Sequence, residues 1–172
     1  MVRSAWSSAA SKYLAAIEKD TSDVNVIVEI GVDLGYSLFT LARDFPNALV
    51  VGVDNFSYSD GEAAKAHVEK YLIDFPNVRL LAAESGDANR WWKDPSNYLD
   101  IDLLHIDGDH MYDSVKRDFE LWSTFVSPDG VVMLHDVCSF KEHVGRLFDE
   151  ISWKKKLIDE NGPGLGILFK DG

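Results

Sequence analysis

The stretch that decides the fold is IDLLHIDGDHMYDSVKRDFELW, residues 101–122. Apolar residues lead directly into Asp107, Asp109 and His110, and a helix-like segment follows. Because removing an unpaired ion from water costs much free energy, such a cluster belongs at the wet end of a buried strand, beside a partner that neutralises it. The stretch therefore predicts a strand, a polar turn and a helix, with a ligand site at the turn.

Similar apolar runs occur along the rest of the chain, with helical segments between them. The predicted buried strands cover residues 26–30, 49–54, 78–83, 101–107 and 130–137. Strands that alternate with helices predict a parallel α/β sheet with helices on both faces, because right-handed crossovers place the helices there. Two last runs flank NGPG and predict an antiparallel hairpin over 153–159 and 165–170. Ligands of such sheets bind beyond the carboxyl ends of the strands.

The chain of 172 residues has the composition of one globular domain, with 46% hydrophobic and 27% charged residues. We expect a helix within residues 1–23, packed on a single domain over 24–172. A formal charge of −12 disfavours nucleic acid and anionic membranes as partners. No signal peptide or membrane span is evident, which predicts a cytoplasmic protein. Cys138 is the only cysteine and is expected to be a half-buried hydrophobe.

A glycine motif follows the first predicted strand. In EIGVDLGYS, Glu29, Gly31 and Gly35 form an E-x-G-x-x-x-G pattern, in which glycine permits a sharp turn and leaves room for a ligand. The spacing differs from the G-x-G-x-x-G of dinucleotide-binding proteins. Asp54 ends the second strand, where an acid accepts the hydroxyls of a ribose or simply caps a turn.

The ends of the later strands carry further candidates. Glu84 and Ser85 follow the third strand and either contact an adenine edge or cap a short helix. If strands four and five are neighbours, Asp107 approaches Asp136, and two close carboxylates require a shared proton or a cation. With His135 beside them, the donor set suits Mg²⁺, Mn²⁺ or a transition ion better than structural zinc.

Histidines and tryptophans elsewhere differ in their expected roles. His110, three residues after Asp107, is a candidate general base, although a lone histidine is more often exposed or capping. His105 lies within a strand and is expected to be a hydrogen-bonded structural residue. His67 and His143 are expected to be solvated. The pair Trp91-Trp92 predicts one core residue and one rim residue.

Together these motifs resemble the class I S-adenosylmethionine-dependent methyltransferases, and in particular the family that includes macrocin-type sugar O-methyltransferases. The resemblance covers about residues 24–170 and is most specific in IDGDHMYDSVKRDFELW and the HDV that follows. It implies a single-domain Rossmann-like fold, a mostly parallel seven-stranded sheet with an antiparallel final strand. The implied cofactor contacts are Glu29, Gly31, Gly35, Ser37, Asp54, Glu84, Ser85 and Asp107.

The same resemblance implies the chemistry. S-adenosyl-L-methionine is the expected cofactor, with Mg²⁺ or Mn²⁺ at the acids that end strands four and five. The metal ligands are then Asp107, His135 and Asp136, and His110 and Asp107 are the catalytic residues. His135 stands where the metal-dependent relatives carry an acid. The expected partner is a small-molecule hydroxyl acceptor such as a sugar or glycan, and a homo-oligomer is left open.

Three other functions are compatible with parts of the pattern. A non-catalytic binder could retain the fold, since a fold does not secure a function. A nicotinamide-dependent oxidoreductase is disfavoured by the glycine spacing. A phosphohydrolase of the His-Asp type is suggested by His135-Asp136, but that class carries its ligands on helices whereas this pair ends a strand.

Overall fold

One mixed sheet of seven strands forms the centre of the protein. A computed structural model describes residues 21–58, 60–158 and 161–171. The strand order is β3-β2-β1-β4-β5-β7-β6. Strands β1 to β5 are parallel, and β7 lies antiparallel between β5 and β6. The strands are β1 Val26–Ile30, β2 Leu49–Asp54, β3 Val78–Ala82, β4 Ile101–Ile106, β5 Val126–His135, β6 Lys154–Ile158 and β7 Leu165–Phe169. The predicted fold class, including the antiparallel hairpin, is confirmed.

Helices cover both faces of this sheet, as predicted. The α-helices are α1 Tyr36–Asp44, α2 Gly61–Tyr71, α3 Ser85–Trp92, α4 Tyr112–Trp122 and α5 Arg146–Glu150. Short 3₁₀ helices occupy Thr21–Asp23, Leu72–Asp74 and Ser123–Phe125, and a π-helix covers Lys141–Gly145. The predicted N-terminal helix within residues 1–23 lies outside the described residues, apart from that first 3₁₀ turn.

The core is divided by the sheet into two apolar layers. Leu38 of α1 and Val68 of α2 pack on one face. Trp92 of α3 and Trp122 of α4 pack on the other, with their ring centroids 5.7 Å apart. Burying a large apolar side chain stabilises a fold by about 1.5–3 kcal/mol. Trp92 is buried and Trp91 is exposed, which confirms the predicted pair of core and rim residues.

Two segments differ from their predictions. Strand β5 begins at Val126 rather than at residue 130, because Val126 pairs with Ile101 before the register shifts to Leu103 and Val131. The SPDG segment between them bulges, and Asp129 adopts a φ of +63°. The helical segment that follows β5 begins as a π-helix rather than an α-helix, a local form that is common at functional sites.

Gly31 lets the loops after β1 and β4 pass close to each other at the carboxyl edge of the sheet. A Cβ atom on Gly31 would lie 2.2 Å from the carbonyl oxygen of Asp107 and 2.6 Å from the Cα of Gly108. Its φ of +90° is also a conformation that other residues rarely adopt. The Asp107 N–H donates to the carbonyl of Ile30 at 2.8 Å. The glycine therefore places the turn after β4 directly against the end of β1.

Replacement of Gly31 by alanine should lower the free energy of unfolding by about 2–5 kcal/mol, from backbone overlap and a strained φ together. Gly108→Ala is the matched control, because its Cβ would meet nothing closer than Asp118 Oδ2 at 3.7 Å. Urea denaturation monitored by tryptophan fluorescence measures both. A Gly31→Ala variant as stable as Gly108→Ala would contradict the proposed close approach.

Candidate active site

Four polar side chains meet where β4 and β5 end, and we refer to Asp107, His110, His135 and Asp136 as the quartet. Their nearest nitrogen and oxygen atoms all lie within 4.8 Å of one another. The pairing of β4 with β5 produces this meeting, as the sequence predicted for Asp107 and Asp136. The side chains are 17–27% exposed, so the quartet is sheltered but open to ligands.

Within the quartet, each imidazole faces both carboxylates. Nε2 of His110 lies 3.3 Å from Oδ1 of Asp107 and 3.3 Å from Oδ2 of Asp136. Nδ1 of His135 lies 3.1 Å from the same Asp107 oxygen and 3.2 Å from the same Asp136 oxygen. This His135 nitrogen is buried, yet it makes no well-directed hydrogen bond to any residue in the described ranges. Two nitrogens and two oxygens thus converge on one small volume.

Neighbouring rings hold both imidazoles in place. Phe140 stacks on His110 with centroids 4.5 Å apart and an interplanar angle of 16°. The ring of His105 packs edge-on against His135, with centroids 6.2 Å apart and an angle of 89°. His105 is itself fixed by Glu29, whose Oε1 is 2.8 Å from Nδ1 of His105. The orientation of the quartet imidazoles is therefore set by packing.

The contact between Glu29 and His105 lies deep in the sheet. The two residues are opposite each other in the pairing of β1 with β4, and both are buried. This confirms the prediction that His105 is hydrogen-bonded and structural. Oε2 of Glu29 has no hydrogen-bond partner among the described residues. Glu29, which was predicted to contact the cofactor, supports the quartet indirectly through His105 in this structure.

The charges of the quartet shift one another's protonation. Burial favours the neutral carboxyl of Asp107, but its close contacts with the imidazoles of His110 and His135 outweigh burial and hold the pKa well below its usual range. The hydrogen bond to Asp107 raises the pKa of His110. Burial lowers the pKa of His135, but its contacts with Asp107 and Asp136 prevail and raise the pKa to about 8. Without a bound cation, the quartet therefore holds protons between its carboxylates.

The predicted cofactor residues of the first two strands lie at the same carboxyl edge of the sheet as the quartet. Asp54 Oδ2 accepts the N–H groups of Val32 and Asp33 at 2.7 and 2.9 Å, and Oδ1 accepts that of Phe56 at 2.6 Å. Since each carboxylate oxygen accepts two hydrogen bonds, Oδ1 keeps capacity for a ligand. In the described chain no side chain caps the N-terminus of α1, which follows Gly35. A Cβ on Gly35 would lie 2.9 Å from the ring of Phe39.

The candidates after β3 divide between two roles. Glu84 Oε1 accepts a hydrogen bond from the side chain of Asn55 at 2.7 Å, so these exposed residues link the ends of β2 and β3. Ser85 instead accepts the indole N–H of Trp122 at 2.9 Å, and its hydroxyl also hydrogen-bonds Asp118. The structure thus brings Glu84 to the edge and directs Ser85 towards α4. Ser37 lies half-buried in the first turn of α1.

Several residues near the site have a burial or contacts that the sequence analysis did not predict. His143 is half-buried in the π-helix, and its Nδ1 accepts the Tyr112 N–H at 3.4 Å, so the expectation of a solvated side chain was wrong. His67 is also half-buried, with its ring 4.9 Å from that of Tyr71. Cys138 is half-buried as predicted. The stacking of Phe140 on His110 and the contact of Glu29 with His105 were not predicted from the sequence. A signal for the second contact was present, because Glu29 and His105 each stand two residues before a polar turn that follows a strand.

The sheet order and the position of this site define the class of the protein. A model of the methyltransferase domain family matches residues 28–137, which contain β1 through the end of β5. The chain therefore belongs to the methyltransferase domain family, among the class I S-adenosylmethionine-dependent methyltransferases. This membership does not favour the oxidoreductase or the phosphohydrolase interpretation.

One curated relative is similar over most of this chain. The protein y4gI of Sinorhizobium fredii is 51% identical in an alignment of 166 positions, and the alignment covers 83% of the chain but 17% of y4gI. A second relative, R132 of Acanthamoeba polyphaga mimivirus, is 29% identical over 115 residues, covering 66% of the chain and 52% of R132. The chain thus spans between about a sixth and a half of the lengths of these relatives.

Solved structures share the fold at low sequence identity. The O-methyltransferase TomG from Streptomyces achromogenes, solved with S-adenosylmethionine, superposes with a TM-score of 0.69 at 17% identity, covering 96% of this chain and 80% of TomG. The TDP-rhamnose 3'-O-methyltransferase CalS11 gives 0.71 at 16% identity, covering 94% and 76%. These likenesses establish the fold. In the described part of the chain, no helix has the length and apolar character needed to cross a membrane.

In the presence of EDTA, the stability of the chain should fall as the pH rises from 6 to 9. A histidine whose pKa is raised from 6.5 to about 8 on folding stabilises the fold fully below pH 6.5 and loses this effect as the pH passes about 8. The loss for His135 is about 2 kcal/mol.

Urea denaturation of the wild type and of His135→Gln at both ends of this range measures the loss. The variant should lack this component of the pH dependence, and His67→Gln, a matched histidine outside the quartet, should retain it. Identical pH dependence in the wild type and His135→Gln would show that His135 does not bind its proton more tightly in the folded chain.

Proposed function

We propose that this domain transfers a methyl group from S-adenosylmethionine to a hydroxyl group of a small molecule, with sugars as leading candidates. The observation that carries the proposal is the quartet, which lies beside the glycine turn in a chain of the methyltransferase domain family. The O-methyltransferases TomG and CalS11, which share this fold, support a hydroxyl acceptor. A binder without catalysis is the alternative that the experiment below separates.

The residues at the ends of β1 and β2 fit S-adenosylmethionine, which supplies a methyl group on a sulfonium. Asp54 retains acceptor capacity for ribose hydroxyls after its three backbone hydrogen bonds. Helix α1 follows Gly35, which has no side chain to cap it, and the first turn of a helix carries backbone N–H groups that lack an intrahelical partner. The exposed pair of Asn55 and Glu84 presents further polar groups next to this edge. Gly31, Gly35 and Ser37 complete the proposed contact region, whereas Ser85 is directed towards α4 by its hydrogen bond with Trp122.

The quartet handles the proton of the acceptor hydroxyl. When the C–S bond of the sulfonium breaks and the new O–C bond forms, the hydroxyl proton must leave the oxygen. We assign its acceptance to Nε2 of His110, which must then be neutral and which already faces Asp107 and Asp136. The carboxylates stabilise the imidazolium that results. Most of the remaining catalysis is the alignment of the two reactants.

The same side chains fit a divalent cation. Asp107 and Asp136 supply oxygen, and His135 supplies a buried nitrogen that lacks a well-directed hydrogen bond within the described residues. When bound, such a cation acts as a Lewis acid that lowers the pKa of a coordinated hydroxyl. Its positive charge would also replace the protons that otherwise separate the carboxylates. The residues of the chain then orient the acceptor and receive its proton.

Replacement of His110 by alanine should reduce turnover by about 10²–10⁴-fold, the usual contribution of a positioned base. Because the base must be neutral, the wild-type rate should rise with pH through the raised pKa of His110 and then level off. Binding of S-adenosylmethionine should change by less than about twofold, since Asp54 and the glycine turn are intact.

Methyl transfer from isotopically labelled S-adenosylmethionine to hydroxylated metabolite fractions measures turnover, and calorimetry measures cofactor binding. His67→Ala is the matched control and should keep wild-type turnover. Near-wild-type turnover of His110→Ala across the pH range would remove His110 from the mechanism. Cofactor binding without turnover by the wild type on any acceptor would favour the non-catalytic alternative.

A further inference from the structure

The types of donor atom in the quartet indicate which cation the site accepts. We propose that the site selects a transition ion, of the series from Mn²⁺ to Zn²⁺, over Mg²⁺, and that His135 is the side chain that sets this preference. The inference rests on the proposed function, because it concerns the same site. Asp107 and Asp136 would supply the oxygens, and His135 the nitrogen.

The chemistry of the donors is the first argument. Mg²⁺ prefers an octahedral shell of oxygen ligands and gives up water reluctantly, whereas imidazole nitrogen suits the transition ions. Nδ1 of His135 lies 3.1 and 3.2 Å from the two carboxylate oxygens. An ion such as Mg²⁺, which prefers oxygen ligands, would therefore lie close to this nitrogen if it bound between the two carboxylates. The carboxylates alone would not distinguish the ions in this way.

The fixed position of His135 is the second argument. As the last residue of β5, His135 is held between β4 and β7, and it pairs with Leu165. Its ring packs against that of His105, and Glu29 fixes His105 from the opposite side. A ring held in this way cannot easily turn away to let water take its place on Mg²⁺. Its Nδ1 is buried and lies 3.1 and 3.2 Å from oxygens of Asp107 and Asp136, so a cation held by those oxygens would be within reach of this nitrogen.

Substitution can show that His110 does not set the metal preference that we assign to His135. It lies in the turn after β4 rather than in a strand, and it stacks on Phe140 from the following segment. The proposed function assigns its Nε2 to the hydroxyl proton. The preference for transition ions should therefore persist when His110 is replaced by a residue of similar polarity.

Titration calorimetry of the metal-free chain with Mn²⁺, Co²⁺ and Mg²⁺, in the absence of cofactor and acceptor, tests the inference. The wild type should bind Mn²⁺ and Co²⁺ at least about 100-fold more tightly than Mg²⁺. His135→Asp should narrow the ratio of Mn²⁺ to Mg²⁺ affinity by at least about tenfold, because an oxygen replaces the nitrogen. His110→Gln, the matched control, should keep the ratio within about threefold. The absorption spectrum of bound Co²⁺ should change in His135→Asp.

Thermal unfolding in EDTA shows whether His135→Asp folds. If it does not fold, a second variant takes its place in the test. His135→Asn removes the imidazole but keeps a neutral side chain, and it should lower Mn²⁺ affinity without raising that of Mg²⁺. The inference is overturned if the wild type binds no ion, if it binds Mg²⁺ as tightly as Mn²⁺, or if His110→Gln loses the preference instead. Methyl transfer by the wild type, measured with Mn²⁺, with Mg²⁺ and in EDTA, tests the proposed function separately, because turnover in any of these conditions shows the activity whichever ion binds more tightly.

Discussion

The close approach of Gly31 to the backbone of Asp107 is the constraint on which the site depends. It lets the turn after β4 lie against the end of β1, where the Asp107 N–H reaches the carbonyl of Ile30 at 2.8 Å. The glycine turn and the acid cluster are consequently neighbours. A side chain at position 31 would separate the edge proposed for the cofactor from the quartet. The methyl donor and the acceptor would then no longer share one site.

Electrostatics explains why this cluster is tolerated at a sheltered edge of an acidic domain. Two carboxylates within a few ångströms repel each other unless positive charge lies between them. Imidazoles provide that charge when protonated, and a cation provides it when the imidazoles are neutral. His110 and His135 therefore give the site two ways to compensate Asp107 and Asp136, and only the neutral form of His110 can accept a proton. Binding of a cation is therefore coupled to the neutral form of His110, which is the form that catalysis requires.

Much of the fold was predictable because each strand has a strong local signal. Runs such as VIVEI at 26–30 and LLHI at 103–106 are apolar and end at turn residues, and the alternation with helices fixes parallel pairing. The meeting of Asp107 with Asp136 followed from that topology. The contact of Glu29 with His105 did not, because it depends on the register of two strands 76 residues apart. The early start of β5 was missed since SPDG carries turn residues but is accommodated in a bulge.

The proposed methyl transfer requires one spatial relation, that the sulfur of the cofactor faces the quartet. A crystal structure of the chain with S-adenosylhomocysteine and Mn²⁺, with anomalous diffraction measured at the manganese edge, tests it directly. We expect the nucleoside over the ends of β1 and β2 with its ribose at Asp54. The manganese peak should lie between Asp107, His135 and Asp136, leaving space for an acceptor oxygen about 3–3.5 Å from the methyl position. A ligand bound at another edge, or a manganese peak away from these side chains, would contradict the account.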